Sequence, residues 1–223
     1  MKAQSGKFKL NEERGEVSYL MLSPPSPRAL LGLAHGAGAG MTHQNMESIA
    51  QAMASVGLAT FRYNFSYMEM GKGRESSKVS IATVKEAAVY ASQHFPHLPL
   101  LMGGHSYGGR MSTLAAAEGF AVLVKGLILF NFPLHAPGKP GLDRAAHLKN
   151  ISLPSLFLSG SRDTFAQKDL LISALEPMEK LSTLHWLDTS NHGYKILKRS
   201  RIHSGTVFEE MAEQVDDWLS QTI

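Results

Sequence analysis

The stretch LPLLMGGHSYGGRMSTLAAA, residues 98–117, decides how the rest of this chain is read. Leu98 to Met102 is a short apolar run of the kind that forms a buried strand, and Gly109 to Ala117 has a helix-forming composition. Between them Gly104, Ser106 and Gly108 occupy alternate positions. A serine at the apex of a sharp strand-to-helix turn is held in a strained conformation, and the residues two before and two after it are crowded. Only glycine or something as small fits there. Gly104 and Gly108 meet that requirement, and Gly109 lets the helix pack closely on the strand. Such a turn lifts the Ser106 hydroxyl clear of the backbone at a helix N-terminus, where aligned peptide dipoles favour negative charge. A hydroxyl so exposed, with a base beside it, is a candidate nucleophile.

On either side of this turn the same alternation of apolar runs and amphipathic segments repeats. The Pro-rich Ser23 to Pro27 reads as a turn between two early strands. Ala29 to Ala34 and Leu58 to Tyr63 read as strands, separated by a helix with Met46, Ile49, Ala50 and Met53 on one face. Val84, Ala87, Ala88 and Ala91 mark a further helix, and Val122 to Phe130, Leu153 to Leu158 and Leu181 to Leu187 further strands. A helix near Lys168 to Lys180 should be distorted by Pro177, and the chain closes on a helix burying Phe208, Met211, Val215, Trp218 and Leu219. Strand and helix in alternation imply an α/β domain over residues 1–223, its mostly parallel sheet covered on both faces. In such sheets functional groups collect on loops at the carboxyl ends of strands.

Two more sets of loops then matter. After Ala34 comes His35-Gly36-Ala37-Gly38-Ala39-Gly40, whose small residues let backbone approach a substrate. An acyl-transfer site needs two N–H groups aimed at a developing oxyanion. Tyr107 should supply one and Ala37 the other, with Gly38 as a substitute for Ala37. His35, Gly36 and Gly38 are also candidates for substrate contact, and His105 for support of the site. A dinucleotide-binding glycine loop is the rival reading. It fails because the third glycine position holds Met41 and no acid ends the next strand. Late in the chain, Leu158 leads into Ser159-Gly160-Ser161-Arg162-Asp163, and Leu187 into Asp188-Thr189-Ser190-Asn191-His192. A serine nucleophile needs an imidazole to take its proton and a carboxylate to orient that imidazole. His192 and Asp163 are the candidates, and both should lie on the sheet edge that carries Ser106. Asp188 is too near His192 in sequence to reach the back of its ring.

Composition narrows the alternatives. With 43% hydrophobic and 18% charged residues the chain is globular rather than disordered. It has no cysteine, which excludes disulfides, thiolate metal sites and cysteine nucleophiles. No histidine pair has metal-ligand spacing, and no cofactor is expected. Residues 1–15 lack an apolar segment of signal-peptide type, and no run approaches the ~20 apolar residues of a spanning helix. A cytoplasmic protein with neither membrane nor nucleic-acid partner is expected. The net charge is only +3, and the lone basic cluster Lys198 to Arg201 reads as a solvated loop.

Taken together, HGAGAG, GHSYGG, GSRD and NHGY resemble the α/β-hydrolase superfamily, from the strand before His35 to the last helix. The order Ser106, Asp163, His192 is the order that fold uses. The resemblance implies a three-layer α/β/α sandwich with an eight-stranded sheet, and hydrolysis of a small carboxylic ester or thioester through an acyl-enzyme. Phe61-Arg62-Tyr63-Asn64-Phe65 with Gly73-Arg74 is similar to a narrower branch. That branch includes the hydrolase-like domain of subunit 3 of the NSL histone-acetyltransferase complex, and small single-domain relatives. Some of its members bind proteins, so a catalytically silent binding module is the alternative function. Relatives often carry a lid between the strand after the turn helix and the strand bearing the acid. Here Asn131 to Ser152 holds five Pro and Gly residues in its first half, with room for one short helix around Asp143 to Lys149 and no large cap. Two readings stand for Tyr67, Met68 and Met70: the lining of an acyl pocket, or an ordinary surface loop with partly buried side chains.

Overall fold

Eight strands join one sheet in the computed structural model, which describes residues 3–11 and 14–223. The strands are β1 (Gln4–Asn11), β2 (Gly15–Leu22), β3 (Ala29–Ala34), β4 (Leu58–Tyr63), β5 (Leu100–His105), β6 (Gly126–Phe130), β7 (Ser155–Gly160) and β8 (Ser182–Leu187). The helices are α1 (Gln44–Ser55), α2 (Ser66–Glu69), α3 (Ser77–His94), α4 (Tyr107–Glu118), α5 (Lys168–Leu175) and α6 (Val207–Thr222). In space the strand order is β1-β2-β4-β3-β5-β6-β7-β8. The pairs β1–β2 and β2–β4 are antiparallel and the rest are parallel.

Parallel strands joined by helices must bury both faces, and the central strands obey residue by residue. Leu31, Leu33, Leu101, Ile128, Phe130, Leu156 and Leu158 point to the face covered by α1 and α6, against Met46, Met53, Met211 and Trp218. Leu30, Met102, Leu127, Leu129 and Phe157 point to the other face, against Ala87 and Ala91 of α3, Met111 and Ala115 of α4, and Leu171 of α5. Three layers follow, with no large cap over the sheet edge.

Several boundaries differ from the sequence expectation. β5 runs on through Gly103, Gly104 and His105, because these residues pair with Ile128, Leu129 and Phe130 of β6. The expected strand from Val122 forms only from Gly126, and the late strands start at Ser155 and Ser182. Pro177 ends α5 early: the helix stops at Leu175 and passes into a 3-10 turn, Glu176–Met178. In place of one helix around residues 143–149 there are two 3-10 turns, Asp143–Ala145 and Leu148–Asn150. The hairpin strand β1 was not anticipated, although Phe8 and Leu10 are buried while their neighbours Lys7 and Lys9 are not.

The Phe61–Phe65 segment braces the glycine-rich loop after β3. Arg62 is fully buried, ion-paired with Glu47 at 2.6 Å, and donates to the Met41 carbonyl at 3.3 Å. Asn64 accepts from the Met41 N–H at 3.0 Å and donates to Glu69 at 2.9 Å. The start of that loop is pinned by His35. Its Nε2 accepts from the Phe65 N–H at 3.0 Å, so the ring proton sits on Nδ1 and donates to the Gly36 carbonyl at 2.7 Å.

Burial pushes the His35 imidazole down to about 4. At the end of β5, burial first and then the nearby His192 push His105 down to about 3. Both rings stay neutral in the fold while their unfolded counterparts protonate below about pH 6.5. Their stabilisation is therefore complete above pH 6.5 and is lost as the pH falls from there toward 4. Each histidine should remove stability at about 1.4 kcal/mol per pH unit across that window. Urea unfolding at pH 7.5, 6 and 5 measures this, and an unchanged midpoint would exclude neutral burial of both rings.

Candidate active site

Ser106 stands between β5 and α4 with φ 51° and ψ −115°, in the left-handed region that side chains rarely adopt. Its N–H donates to the Phe130 carbonyl at 2.9 Å, and its carbonyl accepts from the Arg110 N–H at 3.0 Å. The crowding expected around it is present. A Cβ on either Gly104 or Gly108 would collide with the Ala34 carbonyl, which passes between them.

The hydroxyl joins a chain of three side chains. His192 Nε2 lies 2.8 Å from Ser106 Oγ, and His192 Nδ1 lies 2.7 Å from Asp163 Oδ2. A carboxylate on Nδ1 places the ring proton there and leaves Nε2 to accept from the serine. The second Asp163 oxygen accepts from the Phe165 N–H at 2.8 Å, and the carboxylate is shut off from solvent. The Phe165 ring covers the imidazole, stacked at 4.2 Å between centroids. An arrangement of this kind can move a proton from a serine to an imidazole and hold the resulting positive charge.

Asn131 is a brace that the sequence did not single out. Fully buried and at φ 53°, it donates to the His192 carbonyl at 3.0 Å and accepts from the Gly160 N–H at 2.8 Å. One side chain thus ties the loop bearing the acid to the loop bearing the imidazole. Asp188 is engaged elsewhere. Its carboxylate accepts from the N–H groups of Ile202 at 2.6 Å and His203 at 3.3 Å, and these bonds hold it below the usual carboxylate range. Its own N–H donates to Glu210, which also binds Arg201 and His185.

The two expected oxyanion donors flank this chain. Tyr107 opens α4, so its N–H has no acceptor a turn earlier, and the Ala37 N–H has no acceptor among the described residues. His35 holds the peptide that carries the Ala37 N–H through the Gly36 carbonyl, and the Tyr67 hydroxyl donates at 3.0 Å to the Ala37 carbonyl of the next peptide. This corrects the pocket-lining expectation for Tyr67 and Met68. Tyr67 is buried, stacked on Phe65, and Met68 packs beside Gly40; neither lines the cavity at Ser106. His35 and Gly36 also serve the scaffold, the first as described and the second packed on His105, whose Cδ2 would be 3.2 Å from an added Cβ. Gly38 faces open space.

A cavity of about 440 Å³ opens beside Ser106, walled by Ala37, Tyr107, Pro133 and Phe165 together with Arg74, Arg110 and Arg144. Among the described residues no three His, Asp or Glu side chains are grouped to hold a metal ion, and no helix is long and apolar enough to cross a membrane.

Known proteins share this architecture. Dienelactone hydrolase from Anabaena variabilis ATCC 29413 superposes over all of both chains, with TM-score 0.73 and 15% identity. XC6422 from Xanthomonas campestris, an α/β serine hydrolase without a lid, matches over 99% of this chain and 96% of its own, with TM-score 0.73 and 17% identity. TT1662 from Thermus thermophilus matches over 99% of this chain and 98% of its own, with TM-score 0.72 and 20% identity. At these identities the likeness speaks to the fold. The sequence itself matches a family model described as an alpha/beta hydrolase domain over residues 27–220. The chain therefore belongs to the alpha/beta hydrolase family.

Proposed function

We propose that this protein is a serine hydrolase that cleaves a small carboxylic ester or thioester through an acyl-enzyme on Ser106. The observation that carries this reading is the hydrogen-bonded chain Ser106–His192–Asp163 at the mouth of a cavity. In the proposed reaction His192 Nε2 takes the Ser106 proton as Oγ attacks the ester carbonyl. Asp163 holds the imidazolium, and the Ala37 and Tyr107 N–H groups receive the oxyanion. Collapse of the tetrahedral species expels the alcohol or thiol, which takes its proton from His192. Water, deprotonated by the same imidazole, then releases the acid and restores the serine. Membership of the alpha/beta hydrolase family supports this chemistry without naming a substrate. We also place the chain, as one functional domain, in the narrower branch resembling subunit 3 of the NSL complex, on Phe61–Phe65 and Gly73-Arg74 alone.

A fluorophosphonate should label wild type and leave Ser106→Ala unlabelled, and that variant should lose kcat by a factor on the order of 10⁴ or more. Equal labelling of both proteins would move the nucleophile to another residue, whereas a wild type that is neither labelled nor active on esters would favour a silent binding module. Asp163→Asn should cost kcat about 10⁴-fold as control of the imidazole tautomer is lost. Asp188→Asn should cost far less, because Asp188 binds a remote loop; the reverse ranking in steady-state kinetics would transfer the acid role. With only two 3-10 turns over residues 143–150, little apolar area exists to hold a long chain. Each methylene contributes about 0.8 kcal/mol only where it is buried. Activity on p-nitrophenyl esters should peak at short to medium acyl lengths; a clear preference for dodecanoate, or activation by micelles, would contradict this.

A further inference from the structure

Three arginines from three separate segments converge on the cavity beside Ser106. Arg74 comes from the loop before α3, Arg110 from the first turn of α4, and Arg144 from a 3-10 turn between β6 and β7. Among the described residues none of the three has a carboxylate partner, and the Arg110 Nε is buried without any hydrogen bond. The one carboxylate in the cavity wall, Glu75, is taken up by the hydroxyls of Ser66 and Ser80. Arg74 lies over the Tyr107 ring, 5.3 Å from its centroid, which orients it without neutralising it. Guanidinium groups brought together without carboxylate partners repel one another, and the partly buried Arg110 also loses hydration, whereas Arg74 stays exposed; an anion would relieve the repulsion and give Arg110 a partner. In keeping with this, burial and then the charge of Arg144 hold the Arg110 guanidinium below its ordinary value.

We propose that the cavity takes an ester whose acid portion carries a second, anionic group, carboxylate or phosphate, bound by Arg74, Arg110 and Arg144. The geometry sets the spacing. Arg110 is four residues beyond Ser106, a rise of about 6 Å along α4. Helical side chains lean toward the N-terminus of their helix, in keeping with Arg110 lining the same cavity as Ser106. The anionic head therefore sits a few bonds from the scissile carbonyl, as in the monoester of a short diacid. Arginine suits this role because its planar fork binds carboxylate and phosphate oxygens in pairs. This assignment rests on Ser106 as the nucleophile and adds the substrate class.

The test compares mono-p-nitrophenyl adipate with p-nitrophenyl hexanoate, which match in length and differ in one carboxylate. Wild type should favour the anionic ester by about 10- to 100-fold in kcat/KM, the scale of charge-assisted hydrogen bonds. That ratio should shrink as salt is added, and Arg74→Gln, Arg110→Gln and Arg144→Gln should each move it toward one. Stronger competition by inorganic phosphate than by acetate at equal ionic strength assigns the head as phosphate, and the opposite order as carboxylate. A wild-type ratio at or below one, or a ratio unmoved by all three substitutions, overturns the proposal. Fluorophosphonate labelling of the same wild-type sample separates the two possible failures. Labelled protein without charge preference refutes the anion site alone, whereas unlabelled protein that cleaves neither ester refutes the hydrolase reading beneath it.

Discussion

The Ala34 carbonyl passes between Gly104 and Gly108, and the rest of the site depends on that contact. It is possible only because β3 and β5 are neighbours in the sheet and neither glycine carries a Cβ. The contact lets β5 turn into α4 within one residue and leaves Ser106 in a left-handed conformation, a strain of order 1–3 kcal/mol. The Ser106 N–H is tied to Phe130 of the next strand, so the sheet itself holds the strained residue in place. The same contact sets the start of the glycine-rich loop against the turn, since His35 follows Ala34 directly. The Ser106 turn and the glycine-rich loop are in this sense one packed unit.

What surrounds that unit is a set of polar struts rather than more apolar packing. His35 fixes one peptide of the loop, Tyr67 the next, and Arg62 and Asn64 its far end at Met41. On the other flank Asn131 spans the loops after β7 and β8. Loops cannot be positioned by periodic hydrogen bonding, so side chains must satisfy their backbone groups one by one. The neutrality of the buried histidines matters here as well. The His105 ring is 5.4 Å from that of His192, and its Nδ1 is 2.7 Å from the Tyr194 hydroxyl. A positive charge on His105 would oppose protonation of His192 during the proposed reaction; burial prevents it.

Electrostatics divide the site into two parts. Around Asp163 and His192 one carboxylate balances the charge that the imidazole would acquire. Across the cavity three arginines outnumber the single carboxylate Glu75 and leave a net positive charge, and the wall is open to solvent because no cap forms over residues 131–154. An uncapped, positively charged cavity fits a compact polar ligand better than a long hydrocarbon, since it offers little apolar surface to bury.

The sheet-and-helix order, the glycine-flanked serine turn and the loops bearing Asp163 and His192 were all legible in the sequence. Each is written in contiguous residues: apolar runs for doubly covered strands, glycines for a crowded turn, and a carboxylate or imidazole just past a strand end. Parallel strand order then forces those strand ends onto one edge, so even the meeting of residues far apart in sequence followed from topology. Strand limits did not follow, because β5 extends as far as its partners pair, and the partners lie elsewhere in the chain. Nor did the roles of Asn131 and Tyr67, the packing of Met68 beside Gly40, or the meeting of Arg74, Arg110 and Arg144. These are contacts between segments whose local patterns say nothing of each other. The chain's own periodicity therefore determined the architecture and the loops that carry Ser106, Asp163 and His192, and only tertiary packing decided what braces those loops and what charge they face.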